Sequence, residues 1–364
     1  MSALFEPITL RSLTVPNRVW LAPMCMYSAA PDGPEQGVAT DFHLAHLGSR
    51  AAGGAGLVMT EATAVRADGR ISPYDLGLWN DRQQEALARI AALITAHGAV
   101  PAIQLAHAGR KASTGRPNDG SKPLAPADGG WQPVGASPIA FGAGCPVPDE
   151  LTADGIAELV RDFAAAAVRA REAGFQVVEV HGAHGYLIHS FLSPHSNHRT
   201  DGYGGSFAGR ARFALEVAAA VRAVWPEDLP VFFRVSATDW LDGESGWTPE
   251  ETVLLAKELQ ALGIDLVDVS SGGNVQNAAI ALGPGYQVPF AERIRAEAGV
   301  PVSAVGLITE PAQAEEVVAA GRADAVMLGR ELLRHPYWPL HAARELGAER
   351  SWPRQYGYAV GARG

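Results

Sequence analysis

Val177-Val178-Glu179-Val180-His181-Gly182-Ala183-His184-Gly185-Tyr186-Leu187-Ile188 is the stretch that decides the fold. It opens as a β-branched run behind Gly174, a helix-stopping residue, and so reads as a buried strand. It then breaks into a glycine-punctuated turn that carries two histidines and a tyrosine. A buried strand ending in titratable groups is the pattern of an α/β enzyme, which keeps its chemistry at strand ends. His181 and His184 can donate to one oxygen, and Tyr186 can supply a proton beside them. Gly182 and Gly185 leave room for a flat ligand.

Working outward, similar apolar runs recur at 18–24, 56–61, 100–105, 176–181, 230–236, 265–271, 301–306 and 324–329, with helical patterns between them. Many follow a helix-stopping glycine, among them Gly98, Gly174, Gly263, Gly299 and Gly321. Eight strands alternating with helices call for parallel pairing through right-handed crossovers. At 364 residues they favour a closed (β/α)8 TIM barrel over an open sheet, as one domain spanning 1–364. Thr152, Thr248 ahead of Pro249-Glu250-Glu251, and Thr309 ahead of Glu310-Pro311 read as helix starts. The exception is 111–151, rich in Gly, Pro and Ser and without a period. After strand three it is expected either to cap the mouth as a lid or to be a plain surface loop. The aromatic tail, 351–364, is expected to dock on its own barrel or at a subunit interface.

Composition excludes several classes. The chain is 47% hydrophobic and 19% charged, with no apolar run long enough for a membrane span. The N-terminus lacks the basic and apolar regions of a signal peptide. A net charge of −10 without a basic block argues against nucleic acid. Two cysteines, Cys25 and Cys145, are too few for an iron–sulfur cluster or a disulfide framework and suit a reducing, cytoplasmic setting. The histidines match no common zinc spacing, so no metal is expected.

Polar groups collect at the strand ends: Met24-Cys25, Glu61-Ala62, Gln104 with His107, the His181–Tyr186 turn, Arg234, Ser270-Ser271-Gly272-Gly273, Gly306 and Gly329-Arg330. Barrel closure would bring them onto one face. Taken singly, Gln104 reads as a satisfied polar group and Cys25 as a small buried hydrophobe. Arg234, inside an apolar run, needs an anion, and either a ligand or an ion pair with Glu179 or Asp268 would serve. Gly306 and Gly329-Arg330 follow strands seven and eight, where barrels bind phosphate, although such a position is also a plain helix start. No Gly-x-Gly-x-x-Gly follows a strand, so a resident dinucleotide is not expected and a flavin mononucleotide suits a redox reading better.

At Ala22-Pro23-Met24-Cys25-Met26-Tyr27-Ser28, Gln104-Leu105-Ala106-His107-Ala108-Gly109-Arg110-Lys111, His181–Leu187 and the run Asn197–Ser206, the chain resembles the old yellow enzyme family of FMN-dependent ene-reductases. It looks most like the bacterial thermophilic-like and xenobiotic reductase subgroup. The resemblance spans nearly the whole chain and implies roles by position. Pro23, Met24, Cys25, Ala62, Gln104 and Arg234 would line the flavin ring, with Cys25 near its reactive edge. Gly306, Gly329 and Arg330 would hold the phosphate, with Ser271 and Gly272 nearby. His181 and His184 would grip a substrate carbonyl, Tyr186 would donate the proton, and Tyr27 would line the substrate pocket. The implied activity is NAD(P)H-dependent reduction of activated alkenes such as enones, enals, maleimides and quinones, in a homodimer or homotetramer. In some members an arginine of a neighbouring subunit enters the active site. Here no arginine directly follows Tyr356, which leaves Tyr358 or Arg354 as candidates for that place.

Two other classes compete. A phosphate-binding barrel aldolase or isomerase would want a Schiff-base lysine or acid–base carboxylate at a strand end, and the nearest lysines, Lys111 and Lys122, fall in the long loop. A catalytically silent flavin-binding protein would not need His181, His184 and Tyr186 together.

Overall fold

The computed structural model describes residues 2–241 and 245–360. Eight parallel strands close into a barrel: β1 (Val19–Leu21), β2 (Leu57–Ala64), β3 (Val100–Ala106), β4 (Val177–Gly182), β5 (Val231–Ser236), β6 (Leu266–Ser270), β7 (Val302–Ala304) and β8 (Ala325–Leu328). Closure is made by β8 on β1, with Val326 opposite Val19 and Leu328 opposite Leu21. A longer helix follows each strand: α1 (Asp41–Ala52), α2 (Asp81–Ala96), α3 (Ala153–Glu172), α4 (Phe207–Val224), α5 (Pro249–Ala261), α6 (Val288–Ala298), α7 (Pro311–Ala319) and α8 (Trp338–Glu345). This is the (β/α)8 TIM barrel that the alternating runs predict, and all eight runs hold a strand.

The strands are apolar on both faces because each face has its own core. Val58, Val178, Val180, Phe233 and Val267 point outward under the helices. Trp20, Leu57, Met59, Val177, Phe232 and Leu266 fill the lumen, where Trp20 stacks on Phe232 at 5.8 Å. The period of two continues toward the C-terminal mouth and turns polar. Two residues beyond Val177, Phe232 and Leu266 stand Glu179, Arg234 and Asp268, all buried. The other end is stopped by an antiparallel hairpin, Ile8–Leu10 with Leu13–Val15, whose Leu10, Leu13 and Val15 join the lumen cluster. No sequence signal in these three-residue strands announces the hairpin.

Two helix starts are as expected. Thr152 caps α3 by accepting from the Gly155 N–H, and Thr248 forms a reciprocal capping box with Glu251. At α7 the N-cap is Glu310, not Thr309. Pro311 takes the first helical position and keeps the residue before it extended, while the Thr309 N–H is satisfied by the Gln313 side chain at 3.1 Å.

Segment 111–151 holds short 3-10 turns and one two-residue strand pair, Val134–Gly135 with Asp149–Glu150. The tail docks on its own chain through Trp352, which stacks on Tyr337 at 6.0 Å and meets His341 edge-on. Tyr358 stays 92% exposed, and residues 361–364 of the predicted tail lie outside the described residues. Among the described residues no helix is long and apolar enough to cross a membrane.

Candidate active site

The mouth formed by the C-terminal strand ends begins with a polar floor. Arg234 Nε meets Asp268 Oδ2 at 2.9 Å, and Ser303 donates to the other Asp268 oxygen at 2.8 Å. Gln104 Nε2 donates to Glu179 Oε1 at 2.7 Å. Burial first, then the Asp268 charge, lifts the Glu179 carboxyl to about 8. Of the two partners open to Arg234 in the sequence, Asp268 takes the ion pair. Its guanidinium nonetheless lines a cavity of about 200 Å3 shared with Ser270, Tyr286, Gln287, Gly306, Gly329, Arg330 and Arg334. Ion pairing and ligand facing are therefore not alternatives here.

Above the floor stands the turn after β4. His181 accepts the Ala183 N–H on Nδ1 at 3.4 Å. That bond leaves Nε2 as the protonated nitrogen, and it faces His184 Nδ1 at 3.4 Å. His184 Nε2 lies 2.8 Å from Ser270 Oγ. Ser270 is 3.4 Å from Gln287 Oε1, which already accepts the Ser271 hydroxyl at 2.6 Å. The Ser270 hydroxyl can donate to Gln287 Oε1, and its contact with His184 Nε2 can run in either direction. Burial, then the Arg234 charge, holds both imidazoles well below their ordinary range. Both are neutral at pH 7, and His181 Nε2 and His184 Nδ1 face each other at the mouth. The Tyr186 ring lies 5.2 Å from the His181 ring, and burial raises its phenol well above the usual range. His184 holds a left-handed φ of 61°, a conformation kept only where the surroundings over-determine it.

The segment after β1 is half-buried from Pro23 to Ser28. Glu61 fastens it by accepting the Met26 N–H, while its other oxygen meets His43 Nε2 at 2.8 Å. Tyr27 is thereby held at a φ of 52°. Burial, then Asp75 and Glu61, pushes the Cys25 thiol up. Tyr27 and Tyr186 line a second cavity, of about 370 Å3, with Ile71, Lys111, Phe141 and Cys145. Loop 111–151 supplies much of its wall.

Most of the predicted site residues thus meet at one mouth. Ser271 and Gly272 do not line the cavity of Arg234 and Gly306. Ser270 does, because side chains alternate along β6. Ser271 reaches that cavity only through Gln287, and a Cβ on Gly272 would meet Trp240 at 3.2 Å. Tyr358 and Arg354 are exposed and do not line either cavity of their own chain. Sequence reasoning missed Gln287, Arg334, His43 and Lys111. Lys111 lies in the loop, as read, yet its ammonium stands 5.0 Å from the Tyr186 ring rather than remote from the strand ends.

The first cavity fits FMN by the chemistry of its donors. Arg234, Arg330 and Arg334 all line it, a donor set that suits a phosphate joined to an electron-rich ring. Gly306 has a φ of 126°, open to glycine alone, and a Cβ there would press on Gln287 at 3.0 Å.

Residues 3–349 match the model of the NADH:flavin oxidoreductase / NADH oxidase family. The chain is 49% identical over 359 residues to an NADPH dehydrogenase of Listeria monocytogenes, covering 99% of both chains. Among solved structures it is similar to morphinone reductase, at 30% identity and a TM-score of 0.78, with 100% of this chain and 94% of that one covered. It is also similar to the old yellow enzyme homologue of Zymomonas mobilis, at 28% identity and a TM-score of 0.77, with 96% and 94% covered. With FMN and NAD(P)H as its cofactors, the chain belongs to the NADH:flavin oxidoreductase / NADH oxidase family and is an oxidoreductase of the old yellow enzyme kind.

Proposed function

We propose that this oxidoreductase reduces the activated C=C bond of α,β-unsaturated carbonyl compounds, such as enones, enals, maleimides and quinones. The observation that carries the reading is the pair of neutral imidazoles, with His181 Nε2 and His184 Nδ1 3.4 Å apart, beside a tyrosine kept protonated. Bound FMN supplies the redox chemistry, taking reducing equivalents from NAD(P)H and passing them to the alkene.

The protein's own residues supply the rest. Arg330, Arg334 and the backbone at Gly306 and Gly329 would hold the phosphate. Pro23, Met24, Cys25, Ala62, Gln104 and Arg234 would face the ring. His181 Nε2–H and, in its Nδ1 tautomer, His184 would take the carbonyl oxygen, where negative charge builds as the alkene is reduced. Donors already aimed at that oxygen stabilise the transition state more than the ground state. Tyr186 gives its proton to the α-carbon, a strong enough base to accept from a buried phenol. Tyr27 closes the pocket opposite Tyr186, and loop 111–151 acts as the lid that keeps water out.

Purified protein reconstituted with FMN is expected to oxidise NADPH with 2-cyclohexenone or N-methylmaleimide as acceptor and yield the saturated product. NADPH oxidation with oxygen alone, without any alkane-type product across an enone panel, would overturn the reading.

A further inference from the structure

Lys111 is half-buried at the mouth and belongs to none of the roles above. Its ammonium donates to two main-chain carbonyls, His184 O at 2.8 Å and Gly273 O at 2.9 Å. The first lies in the turn after β4 and the second in the turn after β6. These turns touch backbone to backbone: a Cβ on Gly273 would fall 2.7 Å from His184 Cα. The third donor of the ammonium faces aromatic rings, with Nζ 4.5 Å from the centre of Phe141 and 5.0 Å from that of Tyr186. Phe141 belongs to loop 111–151. Arg110 makes a parallel tie, from Asn274 O at 2.6 Å to the Ile139 and Ala140 carbonyls of the same loop.

We infer that Lys111 is a positioning residue for substrate, an ammonium clasp that locks the His184–Tyr186 turn to the β6 turn and to the lid. The inference rests on the ene-reductase reading for its effect on turnover, but the clasp itself is a matter of geometry. His184 sits in a left-handed conformation that its neighbours must enforce, and its carbonyl is the atom Lys111 holds. Releasing that carbonyl frees the turn to swing both the imidazole and the phenol off target.

Burial, then Arg110, lowers the Lys111 ammonium to about 8. The groups facing it are Arg110, Cys145 from the lid, and His181, His184 and Tyr186 from the β4 turn. The charged clasp is present below that pH and is lost as pH rises through it.

The test uses the FMN-loaded enzyme and the series Lys111→Arg, Lys111→Gln and Lys111→Met. Calorimetric affinity for p-cresol, a non-reacting occupant, and kcat for 2-cyclohexenone are expected to fall in that order. The loss should reach about tenfold or more at Met, the scale of a charge-assisted hydrogen bond. FMN affinity should stay within about twofold, since Lys111 does not line the phosphate cavity. Wild type and Cys145→Ser should both lose enone turnover near pH 8, whereas Lys111→Arg, which keeps its charge, should not. A flat series, a loss of FMN affinity matching the loss of p-cresol affinity, or an alkaline limb that persists in Lys111→Arg would each overturn the inference. If wild type left enones untouched the functional reading would fall, and the p-cresol series would still decide the clasp.

Discussion

Which ring nitrogen of each histidine carries the proton decides what the pair can do. A His184 carrying its proton on Nε2 would present a lone pair, not a donor, to the carbonyl. His184 Nε2 lies 2.8 Å from the Ser270 hydroxyl, which can donate to it and so hold the Nδ1 tautomer that the proposed role requires. His184→Ala and His181→Ala are each expected to slow enone reduction by about 10²–10³, the cost of one lost donor at a developing oxyanion. Tyr186→Phe should slow alkene reduction far more than FMN reduction by NADPH, as resolved by stopped flow of each half-reaction. These three residues were legible because a strand that ends in a glycine-spaced cluster of titratable groups has few structural explanations. Lys111 and His43 were not. A polar residue in a loop or on a helix carries no local sign that it is buried, and burial is what gives these groups their work.

At the scale of elements, the eight strands were readable because both their faces are covered and their runs are therefore continuously apolar. The hairpin Ile8–Leu10 with Leu13–Val15 escaped because three residues are too few to show a period. The β4 turn is the element with the least tolerance. Gly185 has a φ of 72°, and a Cβ there would lie 2.3 Å from Gly273 O, a backbone atom that cannot step aside. Gly185→Ala is expected to lower stability by more than about 1 kcal/mol, beyond the usual left-handed penalty, and to abolish p-cresol binding. A thermal melt and a calorimetric titration check the two effects. A fully bound ligand in that variant would mean the turn is more pliable than its contacts imply.

Across the whole molecule, the barrel layers an apolar lumen beneath a polar floor, and the floor makes stability depend on pH. Glu179 has a carboxyl raised to about 8 when folded, against about 4.3 in an unfolded chain. Between those values the unfolded state binds fewer protons than the folded one, so stability falls as pH rises from the lower toward the upper. Glu179→Gln, which keeps a neutral group beside Gln104, should flatten that fall. Melting temperatures of the two proteins between pH 5 and pH 9 on the order-of-magnitude linkage argument should diverge most at the alkaline end. Parallel curves would place the titration elsewhere.

The hairpin packed into the lumen has a last consequence. It corks the barrel from below, so anything bound for the Arg234 end must arrive through the opposite opening. Two reactants that need the same narrow ground there cannot occupy it at once. On the ene-reductase reading, each would have to vacate before its successor enters, and an excess of either would become an obstacle to its counterpart.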